Sequence, residues 1–188
     1  MTDRKLSGLW VSILGATAGS VALAQEPAEL TALDYFEIQQ LVSRYARAMD
    51  TCSNNGYDYA DLYTRDGRFI PIINGEAIIG AEGREALAAI SGGGVNNCEN
   101  VGWIEQGVHH IYANHIITPS ADGATGTVDM LLIGLGGDPN KIEHDGYYED
   151  VYEKTSDGWK FKQRTHHATY DAATRPESAE YENGDQEH

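Results

Sequence analysis

Three of the seven histidines in this 188-residue chain fall in one stretch, GVHHIYANHII from Gly107 to Ile117. Histidines so close together suggest three chemistries: a metal site, an acid–base catalyst, or polar residues on a sheet. Strand geometry tests the metal first. Side chains alternate faces at ~3.3 Å per residue, so His109 and His110 point apart, and His109 and His115 stand roughly 20 Å from one another. No two of them can grip one ion at ~2.0–2.1 Å. The same argument separates His166 from His167. A metal would need histidines from different strands, such as His109 with His144, plus a carboxylate. An acid–base role for one histidine fits better, with partners from elsewhere in the chain.

The elements that must carry those partners are legible. TALDYFEIQQLVSRYARAMD (31–50) reads as a helix: Thr31 and Asp34 form a capping box, and Ile38, Leu41, Val42, Tyr45 and Met49 recur on one apolar face. Asp50 closes it. A short helix follows around YDYADLY, RDG (65–67) reads as a turn, and RFIPII and GEAIIG as strands joined at Asn74-Gly75. AEGREALAAIS is a third helix, stopped by Gly92 to Gly94. Strands then run over 107–118, 124–134, 144–154 and 159–169, with SADG, GGDPN and TSDG as turns. Helices followed by a long meander mean α+β: a curved antiparallel sheet wrapped around N-terminal helices as a cone with an apolar pocket.

Bulk properties narrow the setting. Residues 1–24 read as a signal peptide, with Arg4 and Lys5 before an apolar run and ALA at its end. A membrane anchor is the other reading of this run, but Gly and Ser interrupt it. Removing that segment, net +1, from a total of −16 leaves −17 on 164 residues. Such acidity repels phosphate backbones and anionic lipid, so nucleic acid is not an expected partner. Export would permit a Cys52–Cys98 bridge, with two free thiols as the alternative. Residues 25–172 form one domain, and the acidic, apolar-poor 173–188 is a disordered tail.

In order, DYFEIQQLVSRYARAMD, YADLYTRDGRF, GREAL, HHIYANHII and GYYEDVYEKTSDGWKFKQR resemble the SnoaL-like branch of the NTF2-like superfamily over nearly the whole mature chain. The resemblance implies a cone-shaped pocket without metal or organic cofactor, a small-molecule substrate, and homodimers or homotrimers built through the sheet. Relatives of the scytalone dehydratase type pair an aspartate closing the first helix with a histidine early in the first long strand and a second on a neighbouring strand. Asp50 matches the aspartate. Either His109 or His110 matches the first histidine, with alignment through Ile111 favouring His109. His144, or Asp145 beside it, takes the third place. The tyrosine those dehydratases carry before the aspartate is Met49 here, which puts water activation by a phenol in doubt.

The implied activity is a cofactor-independent lyase or isomerase acting on an apolar or phenolic molecule by His/Asp elimination, as dehydration or aldehyde loss. Tyr148 or Asn114 would donate to the oxyanion, and Tyr45, Met49, Trp103 and Met130 would line the substrate. Asp150 and Arg164 fit a structural ion pair, Trp159 and Phe161 core positions, and His115 the surface or an interface. Fold alone does not decide function. A non-catalytic binder of a hydrophobic ligand and a metal-dependent enzyme are the alternatives.

Overall fold

The computed structural model describes residues 29–99, 101–105, 107–134 and 142–168, without the side chains of residues 102, 103 and 143–145. The expected signal peptide, GGDPN turn and acidic tail lie outside the described residues.

The first helix, α1 (Ala32–Thr51), begins as its capping residues dictate. The Asp34 backbone N–H donates to the Thr31 hydroxyl at 3.3 Å, and the Thr31 backbone N–H returns to Asp34 Oδ2 at 2.9 Å. Asp34 does more than cap. Its Oδ1 also accepts from Trp159 Nε1 at 2.9 Å and Lys154 Nζ at 2.5 Å, tying the helix start to the far hairpin of the sheet. Lys154, then Thr31, hold its carboxyl well below the usual carboxylate range. Ile38, Leu41, Val42 and Tyr45 are buried on the face that their spacing marked.

The short helix α2 (Tyr57–Ala60) leads into β1 (Tyr63–Ile73). RDG is not a turn: it is an irregularity inside β1, where the pairing register shifts between Tyr63 and Arg68. Gly67 permits it, since a Cβ there would lie 2.7 Å from that of Tyr63. Asn74 and Gly75 form the expected two-residue hairpin, both at positive φ (53° and 78°), and Ile73 pairs with Glu76. GEAIIG supplies only β2 (Glu76–Ala77), and β3 (Ala81–Glu82) follows before helix α3 (Arg84–Ile90). A one-turn helix, α4 (Gly102–Glu105), precedes the four long strands.

Those strands, β4 (His109–Ser120), β5 (Gly123–Ile133), β6 (Ile142–Thr155) and β7 (Gly158–Ala168), form the expected meander. The sheet runs β2-β1-β7-β6-β5-β4, curved and unclosed, with β4 at one edge. It is mixed rather than wholly antiparallel, because β1 pairs with β7 in parallel. The α3 segment and the chain after it return past the sheet before β4, so β1 and β7 meet in the same direction.

The inner face packs against α1 through an aromatic core. Tyr45, fully buried, contacts the rings of Tyr59, Tyr112, Tyr148 and Phe161 at centroid distances of 5.0–6.0 Å. Arg164 lies within it, its guanidinium carbon 4.0 Å from the Tyr45 and Tyr148 ring centres and 4.6 Å from Phe161. The enclosed interior is therefore aromatic and cationic as well as apolar.

Candidate active site

Asp50 sits in the last turn of α1, and His110 is the second residue of β4. Because β4 is an edge strand among the described residues, its outward backbone N–H groups have no described strand to pair with. Asp50 takes that place, both carboxylate oxygens lying 3.2 Å from the His110 backbone N. From the edge, one carboxylate then reaches both neighbouring side chains. His110 Nδ1 lies 2.5 Å from Oδ1, and His109 Nδ1 lies 3.7 Å from Oδ2.

The two histidines differ sharply in exposure. The His110 and Asp50 side chains are 11% and 12% exposed, and that of His109 is 67%. Of the two histidines left open, His110 takes the inner face, against the alignment that favoured His109, and the alternation that separates them makes this either-or. A carboxylate only accepts, so His110 Nδ1 is assigned the proton and Nε2 keeps the lone pair. Asp50 and the negative end of α1 both stabilise positive charge developing on that ring.

A second correction comes further along β4. Asn114 has φ of +51°, and the pairing with β5 slips between Ala113 and Ile116. This bulge reverses the alternation. Asn114 is exposed and donates to Asp129 Oδ2 at 2.7 Å, so it does not reach the interior as an oxyanion donor. His115, expected at the surface or an interface, is half-buried, with Nε2 3.0 Å from the Tyr152 hydroxyl. Burial, then the charge of Arg164, lower its pKa to about 4.

Tyr152 in turn donates to Asp150 Oδ2 at 2.8 Å, and Asp150 Oδ1 lies 3.1 Å from Arg164 Nε. Burial pushes the Asp150 carboxyl up to about 6, against the pull of Arg164. Burial disfavours the Arg164 cation, but Asp150 and the surrounding tyrosines outweigh it, and the guanidinium stays charged. Tyr148 is 3% exposed, and burial raises its pKa, leaving a neutral phenol. The His115–Tyr152–Asp150 chain escaped sequence reasoning because only the bulge turns His115 inward.

Of the remaining expected residues, Tyr45 and Met130 are core, and Met49 packs half-buried against it. The backbone of His144 lies in one cross-strand row with His110, through Leu132. Two strand spacings make that ~9.5 Å. The side chains of His144 and Trp103 lie outside the described residues. Among the described residues no three His, Cys, Asp or Glu side chains converge as metal ligands.

Residues 30–165 match the family described as SnoaL-like domain. No curated protein matches the chain. Among solved structures, an NTF2-like protein with a cystatin-like fold from Novosphingobium aromaticivorans is similar at 20% identity and TM-score 0.60, over 75% of this chain and 85% of that one. A protein of unknown function from Nostoc punctiforme is similar at 21% identity and TM-score 0.59, over 77% and 97%. A protein provisionally named scytalone dehydratase, also from N. aromaticivorans, is similar at 22% identity and TM-score 0.52, over 73% and 85%. At these identities the structures share the fold.

Proposed function

The chain belongs to the SnoaL-like domain family, and from that premise we propose a lyase of the dehydratase type acting on a small apolar or phenolic molecule. The observation that carries the reading is the Asp50–His110 pair, an imidazole held by a carboxylate at 2.5 Å and shielded from solvent. His110 Nε2 takes a proton from a carbon beside a carbonyl, or from a phenol. From carbon, the electron pair moves onto the carbonyl oxygen as an enolate; from a phenol, the oxygen pair moves into the ring and the bond to the benzylic leaving group breaks, giving a quinone methide. In dehydration the imidazolium gives the proton to the departing hydroxyl, which leaves as water. In aldehyde loss the imidazole instead takes the hydroxyl proton of the departing fragment, the C–C bond breaks, and the proton goes to the carbon left behind. Each step uses the chain's own groups. The positive charge of Arg164 and the neutral phenol of Tyr148 favour an oxyanion in the interior.

Asp50 is turned onto β4 and away from solvent, which supports catalysis over a non-catalytic binder of a hydrophobic ligand. The same reading carries export, and an oligomer formed through the outer sheet face. Ile111, Ile116 and Val151 are exposed there, beside a groove of about 380 Å³ that includes Thr125 and Thr127.

Screening phenolic and aryl carbonyl compounds, then comparing variants on the best one, tests the reading. His110→Gln and Asp50→Asn should each lower kcat/KM by roughly 10²-fold or more. His109→Gln should stay within about threefold, its imidazole being mostly in water. Wild-type rates in folded His110→Gln and Asp50→Asn protein would remove the assignment.

A further inference from the structure

Asp50 and His110 come from segments 60 residues apart in the chain. A covalent bond joins those segments beside the pair. Cys52 and Cys98 form a disulfide with Cα atoms 6.1 Å apart. Cys52 follows Asp50 by two residues, and His110 follows Cys98 by twelve. Through the bridge, the path between carboxylate and imidazole shrinks from 60 residues to about 14. Loop-closure statistics make their encounter about ninefold more favourable over the shorter path.

The backbone around the bridge would not hold this geometry easily alone. Cys52, Asn54, Asn55, Asn97 and Cys98 all have positive φ, between 46° and 57°. L-residues disfavour that region, Asn least among them, and such a cluster persists only where its surroundings over-determine it. The two strained segments touch backbone to backbone. A Cβ on Gly93 would lie 2.1 Å from the Asn55 carbonyl oxygen, and one on Gly56 would lie 2.6 Å from that of Ala88. Asn55 Nδ2 also donates to the Gly94 carbonyl at 3.0 Å. The α1 terminus that carries Asp50 is thus seated on the 91–98 loop, and the disulfide is the covalent fastening.

We propose that the Cys52–Cys98 disulfide is a positioning element for the acid–base pair. It holds Asp50 against His110, and its reduction frees the carboxylate from the imidazole while the domain stays folded. Reduction by a dithiol begins at Cys98, the more exposed residue of the two, since Cys52 is 4% exposed and Cys98 is half-buried. One thiolate attacks Cys98 Sγ and releases the Cys52 thiolate. The second thiolate attacks the mixed disulfide and releases Cys98. The dithiol leaves as its cyclic disulfide, and both cysteines end as thiols.

The proposal deepens the catalytic reading and rests on it, but its main readout needs no substrate. The downfield imidazole N–H resonance of His110, assigned by its loss in His110→Gln, is followed in the full chain before and after dithiothreitol. Thiol titration checks complete reduction, and far-UV circular dichroism checks the fold. Reduction should speed exchange of that proton with water about tenfold or more, and leave the dichroism unchanged. With a substrate in hand, kcat should fall about tenfold and KM move less than twofold. Cys52→Ser/Cys98→Ser should match the reduced protein, and reoxidation should restore the original resonance. An unchanged resonance after full reduction overturns the proposal. So does loss of the helix and sheet signal, which would make the bridge a staple of the whole domain. A fully active His110→Gln would instead defeat the catalytic reading and leave the resonance test standing.

Discussion

His110 and His115 turn to the same face of β4 although five residues separate them, because the bulge at Asn114 shifts the alternation by one. Replacing Asn114 by Val should therefore cost about 1–2 kcal/mol, since a β-branched residue tolerates positive φ poorly. Asn114→Gly should lie within roughly 0.5 kcal/mol of wild type, as the lost contact with Asp129 is exposed. Urea unfolding of the two variants checks the ordering.

His115 makes stability depend on pH. Its folded pKa, about 4, lies below its ordinary value of 6.5, so the unfolded chain binds more protons between these limits. Its contribution is full above pH 6.5 and is lost as pH falls towards 4. Asp150, raised from 3.8 to about 6, acts oppositely: its contribution is full below 3.8 and is lost as pH rises through 6. Denaturation midpoints between pH 4 and 7.5 should fall less on acidification in His115→Gln than in wild type. They should fall more in Asp150→Asn.

Removing Asp34 should be costly for an acidic residue near a helix start. Asp34→Ala keeps the Thr31 cap bond but removes the acceptor of the Thr31 backbone N–H, and leaves the buried Trp159 Nε1 without its acceptor. The expected loss is about 2–3 kcal/mol, with Asp34→Asn nearer 1 kcal/mol because an amide oxygen still accepts. Trp fluorescence during chemical denaturation reads both. A loss below about 0.5 kcal/mol in Asp34→Ala would mean the anchor contributes little.

Arg164 and Asp150 should be strongly coupled. Arg164→Met leaves a fully buried carboxylate without its cation, and the expected loss is about 3–5 kcal/mol. Adding Asp150→Asn should recover a large part of it, because the amide carries no charge to strand. A double-mutant cycle on unfolding free energies measures the coupling, and additivity of the two losses would contradict the pairing.

The local grammar of this chain was readable where one segment decides its own structure. The Thr31–Asp34 box, the apolar face from Ile38 to Tyr45, the Asn74-Gly75 hairpin and the four long strands all follow from neighbours a few residues apart. RDG misled although its turn propensity was real: β7 pairs with β1 on both sides of it, at Tyr63 and from Arg68 onward, and holds it inside the strand. Propensity is a weak prior against a long-range ladder.

What the residues alone determined is the inventory: an aspartate ending a helix, adjacent histidines opening a strand that alternates them, and two cysteines with a bridge open to them. Alternation establishes that His109 and His110 face opposite ways, but carries no phase, so it cannot say which is inside. The tertiary structure supplied the phase by placing β4 at the sheet edge, where α1 delivers Asp50 to an unpaired backbone N–H and shields His110. It also decided the reversal at Asn114, because a bulge is set by pairing with a partner strand rather than by the strand itself. The histidine cluster of the sequence thus resolves into two inward stations, His110 on Asp50 and half-buried His115 on Tyr152, with His109 left in solvent.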